Sequence, residues 1–536
     1  MKIERVRIQN FRSIRDLTFL TGDLCALIGG NNAGKSNLLK AINLVLGDRW
    51  PSVRQIDDAD FFGCDPTAEI AVTIWFDETR EVRGDVGDPV PFSGICFRVS
   101  RYKRRSGKHQ QGDLRSEFCC VGDNGEAVEV LKRPNQSARP YPKPAPVSTA
   151  IREQLPTVFI DIDRSARYHL SGSQWSILGR LLREVSNSLK SDATRFALFR
   201  EKFDEARSII RTPEFEGLEK TVLEQLEAHT GLSGVRVIFD DMDPLNLYKS
   251  FSVLFQDEQT PVPVDATRMG SGIQSAVVIS LLQAYRELRK ENAVLLFEEP
   301  EFFLHPHGRR HLYRLLCDLA DSGTQILYTT HSQDLVDLTR MDCVRLVTNT
   351  TTDGTQAAPP TKAALSDDWR TTLNIARQFG SPRDEIFFAD SVVLTEGVTE
   401  QATIRILAEM MPTPLDLDRN NCSVIEVGGK PSLPLMIRIV RALRKPMLVI
   451  YDTDSHHNDP IVIARDEELN DEIVAALNGE GELFACDPQF EAIADLPPGN
   501  RKKEHRAREF LSSLKSWDDV PADLKALMAH VRNLIA

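Results

Sequence analysis

The sequence predicts an α/β protein of two successive modules, the first β-rich in its opening half and interrupted by a helical segment, the second a parallel sheet with flanking helices. Three observations carry this. An apolar strand at Leu24–Ile28 runs into the glycine-rich stretch Gly29–Ser36 and then into a helical pattern. Two further apolar runs, at 293–297 and 325–329, alternate with helical stretches and end in polar residues. The same strand-then-acid pattern returns in SVVLTE from Ser391 and in PMLVIYDTD from Pro446.

The elements follow in order. Ile3 to Ile8 alternates as a half-buried strand does, and Ser36 to Leu46 reads as a helix stopped at Gly47. Ile70, Val72, Ile74 and Phe76 share one face of another strand, and further strands are expected around Ile95–Val99 and Phe118–Val121. Pro134 to Pro146 is a proline-rich break, expected as an exposed loop. From Ser173 to about Thr230 the periodicity turns helical, which fits a dimerisation arm or lid as well as it fits further core helices. Helices at 273–290 and 307–320 complete the first series, Thr348 to Pro360 reads as a surface loop, and the second series begins at Ser391. With 536 residues the chain exceeds one ordinary core. Boundaries are expected near 1–165 and 233–385 for the two halves of the first module, 166–232 for the insertion and 386–536 for the second module.

A hydrophobic content of 41% fits a globular chain, and a formal net charge of −13 means that nucleic acid must be met by local basic patches. Arg98, Arg101, Lys103, Arg104, Arg105 and Lys108 form the densest patch, which reads first as a solvated loop and alternatively as a DNA contact. Nine scattered cysteines without a CxxC favour reduced thiols over disulfides or a zinc site. The opening MKIERVRIQNF lacks the apolar centre of a signal peptide, and no apolar run approaches a membrane span. A cytoplasmic protein without membrane association is therefore expected.

Gly29-x4-Gly34-Lys35-Ser36 is a P-loop, in which glycines let backbone N–H groups ring phosphates at the positive end of the following helix. Gly29, Asn31, Asn32 and Gly34 line it, Lys35 reaches the β- and γ-phosphates of ATP, and Ser36 holds Mg²⁺. Glu298 and Glu299, at the end of an apolar strand, suit the magnesium-side carboxylate and the group that polarises water. His331, after the next strand, suits a γ-phosphate sensor, a structural histidine being the alternative. Ser271 and Gly272 open a long helix, a second anion-binding start suited to the ATP of an opposing subunit.

Glu396, Asp452 and Asp454 fall at the ends of two apolar strands, and the two aspartates point the same way on an extended segment. Three carboxylates at the C-terminal ends of parallel strands suit a hard divalent cation such as Mg²⁺ or Mn²⁺. His456 and His457 read as turn residues, because the sequence offers no further soft-metal partners.

IQNFRSI, GGNNAGKSNLL, the GSGIQ helix, FEEPEFFLHP and TTHS resemble the ABC-type ATPase shared by SMC proteins and the overcoming lysogenization defect (OLD) family. The second module resembles a TOPRIM domain, and the order of ATPase then TOPRIM resembles OLD proteins over essentially the whole chain. The resemblance implies head-to-head ATP binding, with Ser271–Gly272 donated by the partner subunit. It adds Glu400 and Glu491 as metal ligands and either Lys502 or Lys503 as the cation at the cleaved phosphate, a solvated basic turn being the alternative for the lysines. It further implies a homodimer or higher homo-oligomer, DNA as substrate, and a role in defence against phage or plasmids, alone or with a helicase or other defence-system protein. The expected function is an ATP-regulated, metal-dependent DNA endonuclease. A sensor or scaffold with a weak TOPRIM site is the alternative; a topoisomerase is disfavoured because Tyr451 lies in a buried strand before the DxD.

Overall fold

Eleven strands form one mixed sheet whose parallel centre carries the P-loop. The strands are Ile3–Phe11 (β1), Ile14–Leu20 (β2), Leu24–Ile28 (β3), Ile70–Val82 (β4), Val90–Arg101 (β5) and Leu114–Val121 (β6). After the ribbon Glu129–Lys132 (β7) and Tyr141–Pro144 (β8) comes Thr157–Ile160 (β9). A second ribbon, Leu254–Asp257 (β10) and Thr260–Asp265 (β11), precedes Val294–Glu298 (β12), Gln325–Thr329 (β13), Val344–Thr350 (β14) and Gly354–Ala358 (β15). The sheet order is β6-β5-β4-β1-β2-β15-β14-β3-β13-β12-β9. In it β3 pairs in parallel with β13 and β14, and β12 with β13, so the chain leaves β3, β12 and β13 at one edge. The computed structural model describes all residues except 66, 108, 134–138, 162–165, 171–175, 211, 215–216, 218–219, 222–243, 245–253, 258–259, 266–267, 289–292, 303, 362–382, 458, 496–513, 515 and 536.

The pattern of each strand explains its place. β3, β12 and β13 are buried along their whole length, as strands covered on both faces must be. β13 begins with the buried Gln325, whose amide is fully engaged: Oε1 accepts from Ile3 N–H at 2.7 Å, while Nε2 donates to Ile3 O at 2.6 Å and Gly22 O at 2.7 Å. A buried amide so bonded ties β13 to the start of β1 without the cost of an unpaired polar group. β4 is buried on both faces from Ile70 to Phe76, whereas alternation alone predicted one apolar face. Trp75 covers the other face by donating to Gly122 O at 3.0 Å and lying under Arg5, 4.1 Å from its ring.

Two segments expected as loops contain strands. Thr348–Pro360 holds the end of β14 and all of β15, paired from Leu346↔Ala358 to Thr350↔Gly354. Its threonines suit a strand, and buried Thr355 hydrogen-bonds Ser13 Oγ at 2.8 Å and Ala33 O at 3.0 Å. Within the proline-rich break, β8 pairs antiparallel with β7, Pro142 and Pro144 facing Leu131 and Glu129. A two-stranded ribbon has a free edge where a missing N–H is tolerated.

The chain separates into two compact units. One comprises Met1–Phe159, Val294–Glu301 and Pro306–Ala536; the other comprises Ile160–Ala293 with Phe302–His305. The second unit holds the helices Ile177–Ser191, Ala193–Ile210 and Ser271–Leu288, the first packing on both others, together with the β10–β11 ribbon.

The remaining strands, Ser391–Thr395 (β16), Cys422–Glu426 (β17), Met447–Asp452 (β18) and Glu482–Cys486 (β19), form an all-parallel sheet in the order β17-β16-β18-β19. Its core joins Val393, Leu448 and Ile450 to Ile404, Leu407, Leu524 and Val531 of the covering helices. The connection from β16 goes first to one side and then to the other, so the crevice between the ends of β16 and β18 is the topological switch point, where α/β sheets bind ligands. All nine cysteines are free. No helix among the described residues is long and apolar enough to cross a membrane.

Candidate functional site

At the ATPase-like edge, the helix Lys35–Leu46 starts from Gly34 at φ 97°, with no side-chain cap on its first N–H groups. A Cβ on Gly34 would fall 2.1 Å from Thr355 Oγ1, so only glycine lets the loop pass here. The uncapped helix start and the glycine loop fit an anion of phosphate type. Lys35 is buried, its ammonium donating to Gly29 O and Gly30 O at 2.9 Å each. Burial lowers its pKa to about 8, against the upward pull of Glu299 and Glu301. Asn31 and Asn32 lie exposed in the loop, and Asn32 O accepts from Asn349 Nδ2 at 3.3 Å.

Glu298 ends β12 as a buried carboxylate with Lys40 Nζ 3.7 Å away. Glu299 follows at φ 45°, a left-handed conformation uncommon for a non-glycine residue, with its N–H on Thr329 Oγ1 at 3.0 Å. That twist brings its Oε1 to 3.6 Å from His331 Nε2. Burial, then the nearby Lys35, lowers the pKa of His331, which keeps the imidazole neutral at pH 7. The sequence reading missed Glu301, the third acid of FEEPE. Its Oε1 accepts from Thr330 Oγ1 at 2.6 Å and from His331 N–H at 2.8 Å, which fixes the backbone carrying the histidine. The edge thus collects Lys35, Glu298, Glu299 and His331, while Ser271 and Gly272 open a helix of the second unit.

At the switch point of the second sheet, Glu396 follows β16 and Asp452 ends β18. Glu396 Oε1 accepts from Asp452 N–H at 2.7 Å, and Asp452 Oδ1 accepts from Phe490 N–H at 2.8 Å. Burial raises Glu396 to about 7, with Glu400 and Asp454 adding to it, although the Asp452 N–H and Lys430 pull it down. Burial and then Glu396 and Glu400 raise Asp452 to about 8. Glu400 is buried in the first turn of the helix Val398–Met410, and Glu491 adjoins Phe490 in a short helix, close enough to act on Cys486 together with Asp452. Carboxylates that raise one another in this way are a donor set suited to a hard divalent cation.

Asp454, two residues on, has φ 56° and is turned toward the loop after β17. There the buried Lys430 donates from Nζ to Asp454 Oδ2 at 2.8 Å. Lys430 was not singled out from sequence, although Gly428 and Gly429, at φ 83° and 104°, mark a tight turn immediately before it. Among the described residues, the ligand atoms that all lie within 4.8 Å of one another belong to Asp454, His456 and His457, not to the three carboxylates read from the sequence. Lys502 and Lys503 lie outside the described residues, as does Lys108 of the basic patch. The rest of that patch lies at and beyond the end of β5, where Arg101 bonds Gly112 O at 2.9 Å.

Comparison with known proteins gives two family matches, the AAA ATPase domain over residues 1–336 and the overcoming lysogenization defect protein-like TOPRIM domain over residues 387–454. The chain is 29% identical over 533 residues to the OLD nuclease of Thermus scotoductus, covering 96% of this chain and 95% of that one. It is 22% identical over 522 residues to the Old nuclease of Escherichia phage P2, covering 92% and 86%. Among solved structures it is similar to an SMC head bound to the C-winged helix domain of ScpA, with TM-score 0.36, 13% identity and coverage of 67% of this chain and 98% of that one. The SMC head domain from Thermotoga maritima aligns with TM-score 0.29, 14% identity and coverage of 67% and 99%.

Proposed function

Because this chain belongs to the overcoming lysogenization defect family, an AAA-type ATPase joined to a TOPRIM nuclease module, we propose that it is an ATP-regulated DNA endonuclease dependent on Mg²⁺ or Mn²⁺. The observation that carries this reading is the meeting of Glu396 and Asp452 at the switch point of a parallel sheet, with Glu400 and Asp454 acting on both. Glu396, Glu400, Asp452, Asp454 and Glu491 would hold the divalent cation. When bound, the cation supplies charge that stabilises an in-line displacement at phosphorus. The residues do the rest: Phe490 N–H and Asp452 N–H aim the two central carboxylates, and Lys430 holds Asp454 in its turn. Either Lys502 or Lys503 would meet the developing charge on the cleaved phosphate.

In the ATPase, Lys35 and the loop residues Gly29 to Gly34 would bind the phosphates, with Ser36 and Glu298 on the magnesium side. Glu299 would accept a proton from water while the neutral His331 beside it senses the γ-phosphate. Ser271–Gly272 of a second copy would complete the site, which makes the working form a homodimer or higher homo-oligomer. Defence against phage or plasmids is the cellular role, alone or beside a helicase or other defence-system protein, in the cytoplasm.

Glu299→Gln is expected to lower ATP turnover by about 10²–10⁴-fold while ATP binding persists, because the amide keeps the shape but cannot take the proton. Steady-state phosphate release beside nucleotide binding checks this, and parental turnover would move the water-polarising role elsewhere.

Cation binding should release protons. Glu396 near 7 and Asp452 near 8 hold protons in the cation-free protein, and a divalent cation must displace them. Affinity is therefore expected to fall as pH drops through this window and to level off above about 8. For folding the sign is opposite. Both pKa values are raised above the unfolded value of about 4, so without a cation their contribution to stability is lost as pH rises toward 8. Mn²⁺ calorimetry in buffers of different ionisation enthalpy counts the protons, and zero release at pH 7 would contradict the shared carboxylate centre.

A further inference from the structure

The loop after β18 contains two histidines that the carboxylate centre does not use. Asp454 N–H donates to Pro488 O at 2.8 Å, and Asp454 O accepts from His457 N–H at 3.2 Å, a turn that folds the histidines back toward the aspartate. One ligand atom from each of Asp454, His456 and His457 lies within 4.8 Å of the others, and the two imidazole centroids are 4.4 Å apart. The hydroxyls of Thr453 and Ser455 donate to Asp487 Oδ1 at 2.7 and 2.5 Å, which holds the loop from its other side.

A second observation points to a ligand. His457 Nδ1 lies 2.6 Å from Asp466 Oδ2, on the helix Pro460–Leu477. A carboxylate on one ring nitrogen fixes the tautomer and ring orientation and leaves Nε2 to ligate, the arrangement found behind metal-bound histidines. Lys430 takes Asp454 Oδ2, leaving Oδ1 as the oxygen available to a cation. Two imidazoles and one carboxylate form a donor set softer than the all-oxygen set at Glu396 and Asp452.

We propose that Asp454, His456 and His457 bind one transition-metal dication of the imidazole-seeking class, such as Co²⁺, Ni²⁺ or Zn²⁺, at a site distinct from the hard-cation centre and sharing only Asp454 with it. Mg²⁺, which prefers oxygen and gives up water reluctantly, does not compete for the nitrogen ligands. Binding does not require that the chain cut DNA, so failure of this site and failure of the nuclease reading are separate results.

The test is a Co²⁺ titration of the full chain in excess Mg²⁺, followed by visible absorption, with ATP hydrolysis of each variant as the measure of an intact fold. One Co²⁺ per chain is expected. His456→Ala/His457→Ala should lose the signal, and the single exposed change His456→Gln should weaken binding at least tenfold. Asp466→Asn, which removes only the orienting carboxylate, should cost about 10–100-fold in affinity. Adventitious binding by surface imidazoles would leave Asp466→Asn at parental affinity, and that result overturns the proposal. So does a double variant that still binds Co²⁺ as the parent does, or a Co²⁺ signal of the parent chain that appears without Mg²⁺ and is abolished by the excess Mg²⁺.

Discussion

Changing Asp452 or Asp454 to Ala is expected to lower DNA cleavage by about a thousandfold or more while ATP hydrolysis continues near the parental rate. A bound divalent cation is worth several kcal/mol of transition-state stabilisation, and about 1.4 kcal/mol corresponds to a factor of ten. Asp452→Ala removes a ligand and leaves Phe490 N–H without its acceptor, while the main-chain N–H of residue 452 that holds Glu396 is kept. Loss of Asp454 leaves the buried ammonium of Lys430 without its carboxylate, a second source of disruption at the same centre. Comparing Asp454→Asn with Asp454→Ala separates the two effects, since the amide still accepts a hydrogen bond from Lys430. Plasmid cleavage and phosphate release measured on the same preparations check the prediction. Variants that cut DNA as well as the parent would replace the nuclease with a sensor or scaffold acting through partners.

Lys35→Ala should have the converse effect, reducing ATP turnover by about 10²–10³-fold, the usual range for losing one preorganised charge-stabilising donor. The fold should survive, because the hydrogen bonds of the ammonium go to carbonyl oxygens of its own loop, and Glu301, which feels its charge, keeps the hydrogen bonds from Thr330 and His331. Cleavage changes only as far as ATP regulates it. Nucleotide binding and turnover, with circular dichroism for the fold, decide the matter, and parental turnover would remove the P-loop from the mechanism.

The parts of both sites that lie within one strand and its following turn were legible in the sequence. Gly29–Ser36, Glu298–Glu299 and Asp452–Asp454 each follow an apolar run, and burial on both faces of a parallel strand leaves few other readings. Groups brought in from distant elements were not legible. Lys430 reaches Asp454 across 24 positions, and Asp466 supports His457 from the next helix. Glu301 looks like one more surface acid until its two hydrogen bonds to the Thr330–His331 segment are seen. The β14–β15 hairpin was hidden because TNTTTDG has the composition of a polar loop, yet Thr348 and Thr350 pair along the sheet, residues 351–353 make the turn, and Gly354, at φ 69°, opens β15 opposite Thr350. Burial on both faces of β4 depends on Arg5 of β1 lying over the Trp75 ring and on the hydrogen bond from the Trp75 indole to Gly122 O beyond β6, partners that periodicity along one strand does not encode.

Metal-dependent cleavage by the unsubstituted chain tests the central claim most directly. Purified protein is incubated with supercoiled and with linear DNA, with and without ATP, first in EDTA and then with Mg²⁺ or Mn²⁺ restored. The account predicts no cutting in EDTA, cutting when either cation returns, and none with Asp452→Ala under the same conditions. Cleavage that persists in EDTA, or that Asp452→Ala retains in full, would contradict it.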